Sequence, residues 1–442
     1  MTFRSRCIFL ERHMKIAFIG AGSVIFSRNL INDVLSFPAL QDSTLSLMDI
    51  DSGRLDLIRS LTERIVSERG LPTVVEATTD RRRALDGADY VVVMIQVGGL
   101  EPFEHDIAIP LRYGIDQSVG DSLGPGGVFR GLRTIPVLVD IARDMERLCP
   151  NAWMLQYSNP MAINTWSLYE AADITVVGLC HSVQGTAKQL AGYFDLDFDH
   201  ISYWCAGINH MSWYLRYEYD GEDAYPILRT VFDRPEIFEK DKTRFEVMRH
   251  FDYYVTESTH HMSEYTPYFR RTPELVEQFA TPRWDYLELC KNGWQNHYDE
   301  VRRQAAGEIP VIPERSNEYA SVIINARETD EPARINGNVR NTGLITNLPD
   351  GCCVEVPIFV DKAGLHPAFV GDLPPQLAAL NRTNINVQEL AVQSALEGDA
   401  RKAFQAAALD PLTSSLLDLR TIQKMVDDLF AAHKAWLPQF GG

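Results

Sequence analysis

Two short segments place metal donors at the ends of successive apolar runs: Cys180-His181-Ser182-Val183 and Gly207-Ile208-Asn209-His210. A thiolate and an imidazole suit a divalent transition ion. Two protein ligands would leave coordination positions open for substrate oxygens, as a catalytic ion needs and a closed structural one does not. Cys180 and His210 are therefore the candidate metal pair, although either residue alone reads as an ordinary buried thiol or core histidine. Residues 116–127 are dense in Gly and Pro and read as a loop throughout. That loop carries Asp121, a candidate acid or a partner of the ion.

These side chains need a frame, and the N-terminal pattern supplies one. An apolar run at 15–19 leads into Gly20-Ala21-Gly22-Ser23, helix-like spacing covers 24–35, and a second run at 44–48 ends in Asp49. Strand, glycine turn, helix, strand, acid is the order of a dinucleotide-binding unit, in which glycines let backbone N–H groups approach a pyrophosphate at a helix N-terminus. Ile25 stands where the third glycine of the full fingerprint would be, so the spacing alone is a weak signal and its context carries it. Gly20, Gly22, Ser23 and Asp49 are the expected cofactor contacts, with Gln96 at a later strand end. Asp49 favours NAD over NADP, since a carboxylate accepts ribose hydroxyls and repels an added phosphate. Asn159, after the run at 153–157, is placed to touch either the nicotinamide amide or sugar hydroxyls.

Further strands are expected at 73–77, 90–95 and 174–179, and helices at 52–69, 81–85 and 131–148. The fold class is α/β, a Rossmann-type doubly wound parallel sheet with a tightly packed, mixed α+β C-terminal lobe. The expected division is an N-terminal extension at 1–13, dispensable if the natural start is Met14, an NAD-binding domain at 14–200, and a substrate, metal and oligomerisation domain at 201–442. Long helices are expected at 273–280 and 389–409, and the active site between the lobes.

The 442 residues carry a formal charge of -18, which argues against nucleic acid, because phosphate binding rests on clustered Lys and Arg. No apolar run approaches the roughly 20 residues of a membrane span. Seven cysteines, odd in number and widely spread, make no disulfide framework and fit a reducing cytoplasm.

Taken jointly, the glycine turn, Met48-Asp49-Ile50-Asp51, Leu123-Gly124-Pro125-Gly126-Gly127, Ser158-Asn159-Pro160 and the Cys180 and His210 segments closely resemble glycoside hydrolase family 4. The resemblance runs from about Met14 to Ala435-Trp436-Leu437-Pro438. It implies a lactate/malate-dehydrogenase-like N-terminal lobe, dependence on NAD and on Mn2+ or another divalent transition metal, and an exception to two-carboxylate glycoside hydrolysis. Hydride passes from C3 of the sugar to NAD, a base removes the C2 proton, the leaving group departs, water adds, and the hydride returns. Cys180-His181-Ser182-Val183-Gln184-Gly185-Thr186 is similar to the α-galactosidase branch. The resemblance further implies Asp121 beside the metal, Asn159 and Asn209 as sugar-binding residues, and a homo-oligomer, dimer or tetramer.

The base is expected within residues 251–261. A general base needs a pKa near the working pH, within reach of His261 with little tuning, of Glu257 by burial, and of Tyr253 only beside strong positive charge. Arg340, in Asn336-Gly337-Asn338-Val339-Arg340-Asn341, is a candidate substrate contact that would answer a carboxylated sugar, keeping α-galacturonides open beside α-glucosides. The rival from another class is a lactate/malate-type NAD dehydrogenase, which would need no Cys/His pair. A further one is a nucleotide-binding regulatory protein.

Overall fold

The computed structural model describes residues 13–293 and 295–441; residues 1–12 of the expected N-terminal extension lie outside them. The strands are β1 Met14–Ile19, β2 Ser43–Met48, β3 Val74–Thr78, β4 Tyr90–Val93, β5 Trp153–Gln156, β6 Thr175–Gly178, β7 Ile201–Ile208, β8 Met211–Tyr219, β9 Glu222–Asp223, β10 Ala333–Arg340, β11 Cys353–Asp361 and β12 Gly364–Pro367. They form one 12-stranded sheet in the order β3-β2-β1-β4-β5-β6-β10-β11-β7-β8-β9, with β12 on β11. Strands β1 to β6 pair in parallel, in the doubly wound order that binds ligands at the carboxyl ends of its strands.

Alternation along the strands explains why both faces are covered. In β1, Ile16 and Phe18 enter one core while Ala17 and Ile19 enter the other. Tyr90 and Val92 divide from Val91 and Val93 in the same way on β4. Strands apolar on both faces belong in a sheet flanked by helices on each side. The helices Val24–Leu35 and Ser52–Arg69 form where the 3.6-residue spacing predicts them. Asp51 caps the second, its carboxylate accepting from the N–H groups of Gly53 and Arg54.

Beyond β6 the sheet continues without a break, since β10 pairs antiparallel with it, Asn338 facing Gly178. The two halves are also joined through their helices. Arg133, on the helix Gly124–Leu148, makes a fully buried ion pair with Asp106, against which His433 of the C-terminal helix Leu419–His433 also rests at 3.2 Å. Two local expectations are corrected. Residues 116–127 are not loop throughout, because the helix begins at Gly124 with Pro125 in its first turn, where a missing N–H costs nothing. Residues 389–409 are not one helix: Gly398, left-handed at φ 69°, ends Pro375–Glu397, and Asp399 caps Ala400–Leu409.

Candidate active site

The expected cofactor and metal residues line up along one edge of the sheet. Gly20 follows β1, Gln96 lies just beyond β4, Asn159 beyond β5 and Cys180 beyond β6, all at carboxyl ends of parallel strands. At the first of these, a Cβ on Gly20 would lie 2.6 Å from the Met94 carbonyl oxygen, and one on Gly22 would lie 2.6 Å from Asp49 Oδ2. The turn therefore excludes side chains and leaves bare backbone facing outward. Asp49 secures it by accepting from Gly22 N–H at 2.7 Å and from Asp51 N–H at 2.9 Å. Each carboxylate oxygen keeps a lone pair for a ribose hydroxyl. Ser23 caps the helix Val24–Leu35 through its backbone only, so the first-turn N–H groups stay available to a pyrophosphate. Gln96 is exposed and donates to the Gly99 carbonyl at 3.0 Å. These residues fit a dinucleotide.

Cys180 and His210 come together as expected, Sγ lying 3.4 Å from Nε2. His210 sits with Asn209 in the two-residue turn between β7 and β8, at φ 61°. That conformation normally calls for glycine, and a non-glycine residue held there costs roughly 1–3 kcal/mol. Glu257 shares the peculiarity, with φ 77°. Its carboxylate is the third member: the ligand atoms of Cys180, His210 and Glu257 all lie within 4.8 Å of one another. Sulfur, nitrogen and oxygen donors at that spacing fit one divalent ion with bonds of about 2.0–2.3 Å. Burial pushes the Cys180 thiol up to about 12, and a cation at the site would oppose that shift.

This position corrects the reading of Glu257 as a base. Burial alone would raise its pKa, but His261, His210 and His181 outweigh burial and bring it down to about 2, so it does not titrate near neutrality. His261 is in place: its ring meets that of His210 edge-on at 4.6 Å, and its Nδ1 lies 2.8 Å from Ser258 Oγ. Burial lowers its pKa, which disfavours the protonated imidazolium. Tyr253 does not fit. The chain turns at Asp252, left-handed at φ 73°, and Tyr253 packs on Tyr225 along a separate groove with Arg216 and Arg229.

The tyrosine at the centre is Tyr265. Its hydroxyl lies 3.3 Å from His210 Nδ1, on the side away from Cys180, and burial raises its pKa well above the usual value. Glu257, His261 and Tyr265 are spaced four apart, and Ser258 starts the helix Thr259–Tyr265 by accepting from His261 N–H. His261 and Tyr265, four apart on that helix, share a face; the spacing alone does not separate Tyr265 from Tyr253, which lies four residues before Glu257.

Asp121 faces this group from the loop, accepting from Ser122 Oγ at 2.8 Å and from Asn159 Nδ2 at 3.0 Å. The loop itself is anchored by Glu264, whose carboxylate accepts from the N–H groups of Ser118, Val119 and Gly120 at 2.7, 3.0 and 3.0 Å. Asn209 is buried with its Nδ2 unpartnered among the described residues. Below the turn, fully buried Glu355 accepts from Ser212 Oγ at 2.7 Å and Asn338 Nδ2 at 3.2 Å. Arg340 is a correction. Since β10 runs antiparallel to β6, Arg340 lies toward the amino end of β6, away from Cys180, and pairs at the surface with Glu170 at 3.4 Å.

Comparison with known proteins bears on the whole chain. Residues 15–196 match the model of the family 4 glycosyl hydrolases and residues 205–413 match that of their C-terminal domain. An alpha-galactosidase of Bacillus subtilis (strain 168) is 45% identical over 96% of this chain and 99% of its own length. One from Rhizobium meliloti (strain 1021) is 39% identical over 96% and 89%. Among solved structures, a 6-phospho-alpha-glucosidase from gut microorganisms, in complex with NAD and Mn2+, superposes with a TM-score of 0.82 at 22% identity, over 97% of this chain and 99% of that one. The lactate/malate-type dehydrogenase and regulatory alternatives are not favoured.

Proposed function

The chain belongs to glycosyl hydrolase family 4, and from that premise we propose that it hydrolyses terminal α-galactosides with NAD at the Gly20–Gly22 turn and a divalent ion at Cys180, His210 and Glu257. The observation that carries this reading is the shared edge: the dinucleotide turn, Asn159 and Cys180 follow the carboxyl ends of the parallel strands β1, β5 and β6, and His210 and Glu257 close on Cys180 there. Its specificity for galactosides rests on the 45% identical relative. When bound, the nicotinamide supplies a hydride acceptor and donor, and the ion supplies a Lewis acid.

The chain's own residues do the rest. Asp121 and Asn159, already hydrogen-bonded to each other, offer an acceptor and a carbonyl to sugar hydroxyls. Asn209 Nδ2 offers a donor. Tyr265 Oη is the group that holds and moves the C2 proton: burial raises its pKa, a divalent ion held by the neighbouring donors would oppose that shift, and His261 Nδ1 is engaged by Ser258. His210 Nδ1 and Tyr265 Oη orient one another, leaving Nε2 for the ion. Glu264 fixes the loop that carries Asp121.

The test is release of nitrophenol from p-nitrophenyl α-galactoside by the reduced protein. It should require both NAD and Mn2+ and accumulate no NADH. Cleavage without either cofactor would overturn the reading, as would NADH accumulating without cleavage. Activity confined to galacturonides or glucosides would overturn the sugar alone. A cytoplasmic homo-oligomer is part of the same reading, and light scattering of the purified protein reports its mass; no helix among the described residues is long and apolar enough to cross a membrane.

A further inference from the structure

Glu257 occupies a costly backbone conformation, and two side chains from two helices close on its peptide groups. Its N–H donates to Thr186 Oγ1 at 3.1 Å, and its carbonyl accepts from Arg244 Nη1 at 2.8 Å and from the Thr186 hydroxyl at 3.4 Å. Arg244 Nη1 also donates to Thr186 Oγ1 at 3.2 Å. The hydroxyl thus accepts two hydrogen bonds and donates one, which satisfies it fully. Arg244 is held in turn by Asp241, through Nε at 3.0 Å and through Nη2, and by Gln189 Oε1 at 2.6 Å. Asp241 reaches forward as well, accepting from Thr259 Oγ1 at 2.6 Å at the start of the helix that carries His261 and Tyr265.

Thr186, Arg244 and Asp241 are all nearly inaccessible to solvent. A left-handed glutamate persists only where its surroundings over-determine it, and this network does so. Thr186 lies on the helix Ser182–Tyr193, which begins two residues after Cys180, so one hydroxyl ties the backbone of the carboxylate to the element that follows the thiol.

We infer that Thr186 and Arg244 are positioning residues that clamp the Glu257 backbone so that its carboxylate serves as a third protein ligand of the ion. The inference rests on the metal site proposed above. Without the clamp, Glu257 would relax to right-handed or extended backbone and swing its carboxylate out of reach of Cys180 and His210.

The test is the Mn2+ affinity of chelator-treated protein, read from the paramagnetic resonance of free Mn2+, with neither NAD nor sugar present. Thr186→Val should weaken binding about tenfold or more, the usual effect of losing a residue that orients a ligand. Thr186→Ser should restore affinity to within about threefold, because the hydroxyl rather than the methyl carries the effect. Glu257→Gln should weaken binding at least as much as Thr186→Val does. Adding Thr186→Val to Glu257→Gln should then change little, within about twofold, because both act through one carboxylate. Thr186→Ala replaces Thr186→Val if the latter does not fold, with thermal unfolding as the check.

Wild-type affinity in Thr186→Val would overturn the inference, and so would an equal loss from Thr186→Val in the Glu257→Gln background. Cys180→Ser separates the two readings. If it binds Mn2+ like the wild type, the metal site itself is wrong and the clamp falls with it. If it loses binding while Glu257→Gln does not, the site stands and the clamp alone is overturned.

Discussion

The parallel and antiparallel halves of the sheet meet at β6 and β10, and each contributes to the site by a different means. The dinucleotide turn is made of consecutive residues whose main contribution is the absence of side chains, with Gly20 and Gly22 bare and Asp49 locking the turn. The proposed metal and proton-transfer centre gathers Asp121, Asn159, Cys180, His210 and Glu257 from five connections and His261 and Tyr265 from one helix, and two of these residues sit in left-handed backbone. Local sequence suffices to build the first. The second exists only once the whole sheet has formed, and the fold stores strain there.

The largest effect that separates the halves should come from Cys180→Ser. Loss of the thiolate should abolish Mn2+ binding and hydrolysis while NAD affinity, followed by fluorescence quenching, remains as in the wild type. A parallel loss of NAD affinity would mean that the halves are not separable. Next, Tyr265→Phe should lower kcat by on the order of 10²- to 10⁴-fold, the range for a lost general acid or base, with Mn2+ still bound. Tyr253→Phe, on its separate groove, should leave kcat within about twofold of wild type. Reversal of the two would return the proton to Tyr253.

How far these features were legible follows from the same contrast. The helices Val24–Leu35 and Ser52–Arg69 and the Gly20–Asp49 unit follow from local periodicity, which needs no partner to be read. Cys180 and His210 could be paired because each ends an apolar run. Tyr253 and Tyr265 could not be told apart by residue type. The choice depends on Ser258 starting a new helix after Asp252 has turned the chain, which puts residues 261 and 265 on one face while Glu257 precedes it in left-handed backbone. Arg340 looked like a sugar contact because its neighbours are polar, but the antiparallel register of β10 on β6 carries it away from the site. Likewise, the glycines at 124–127 resemble loop punctuation until the close approach of Gln117, Ser122 and the Asp106 backbone requires them inside a helix.

The helices after the sheet also enclose charge, and pH should expose this. Asp410 accepts from Thr413 N–H and Oγ1 at 2.8 and 2.7 Å, and burial holds its pKa up at about 6 against 3.8 for a free aspartate. The folded state therefore binds the proton more tightly than the unfolded chain does. That contribution to stability is complete below about pH 3.8 and is lost as pH rises through about 6. Relative to Asp410→Asn, the wild type should lose about 2–3 kcal/mol of unfolding free energy between pH 4 and pH 7, measured by urea denaturation. A difference independent of pH would contradict a buried, titrating Asp410.

The smallest effect belongs to the turn. Gly22→Ala puts a methyl group 2.6 Å from Asp49 Oδ2, and overpacking of that kind costs about 1–3 kcal/mol. NAD should bind roughly tenfold more weakly or worse, with Mn2+ affinity unchanged. An unaltered NAD affinity would place the dinucleotide elsewhere.

The most direct measurement is hydrolysis of an α-galactoside in D2O by the protein supplied with NAD and Mn2+, with the released galactose analysed by proton resonance. Removal and return of the C2 proton through Tyr265 predicts deuterium at C2 of the product. Galactose released with its C2 hydrogen fully retained would contradict the account.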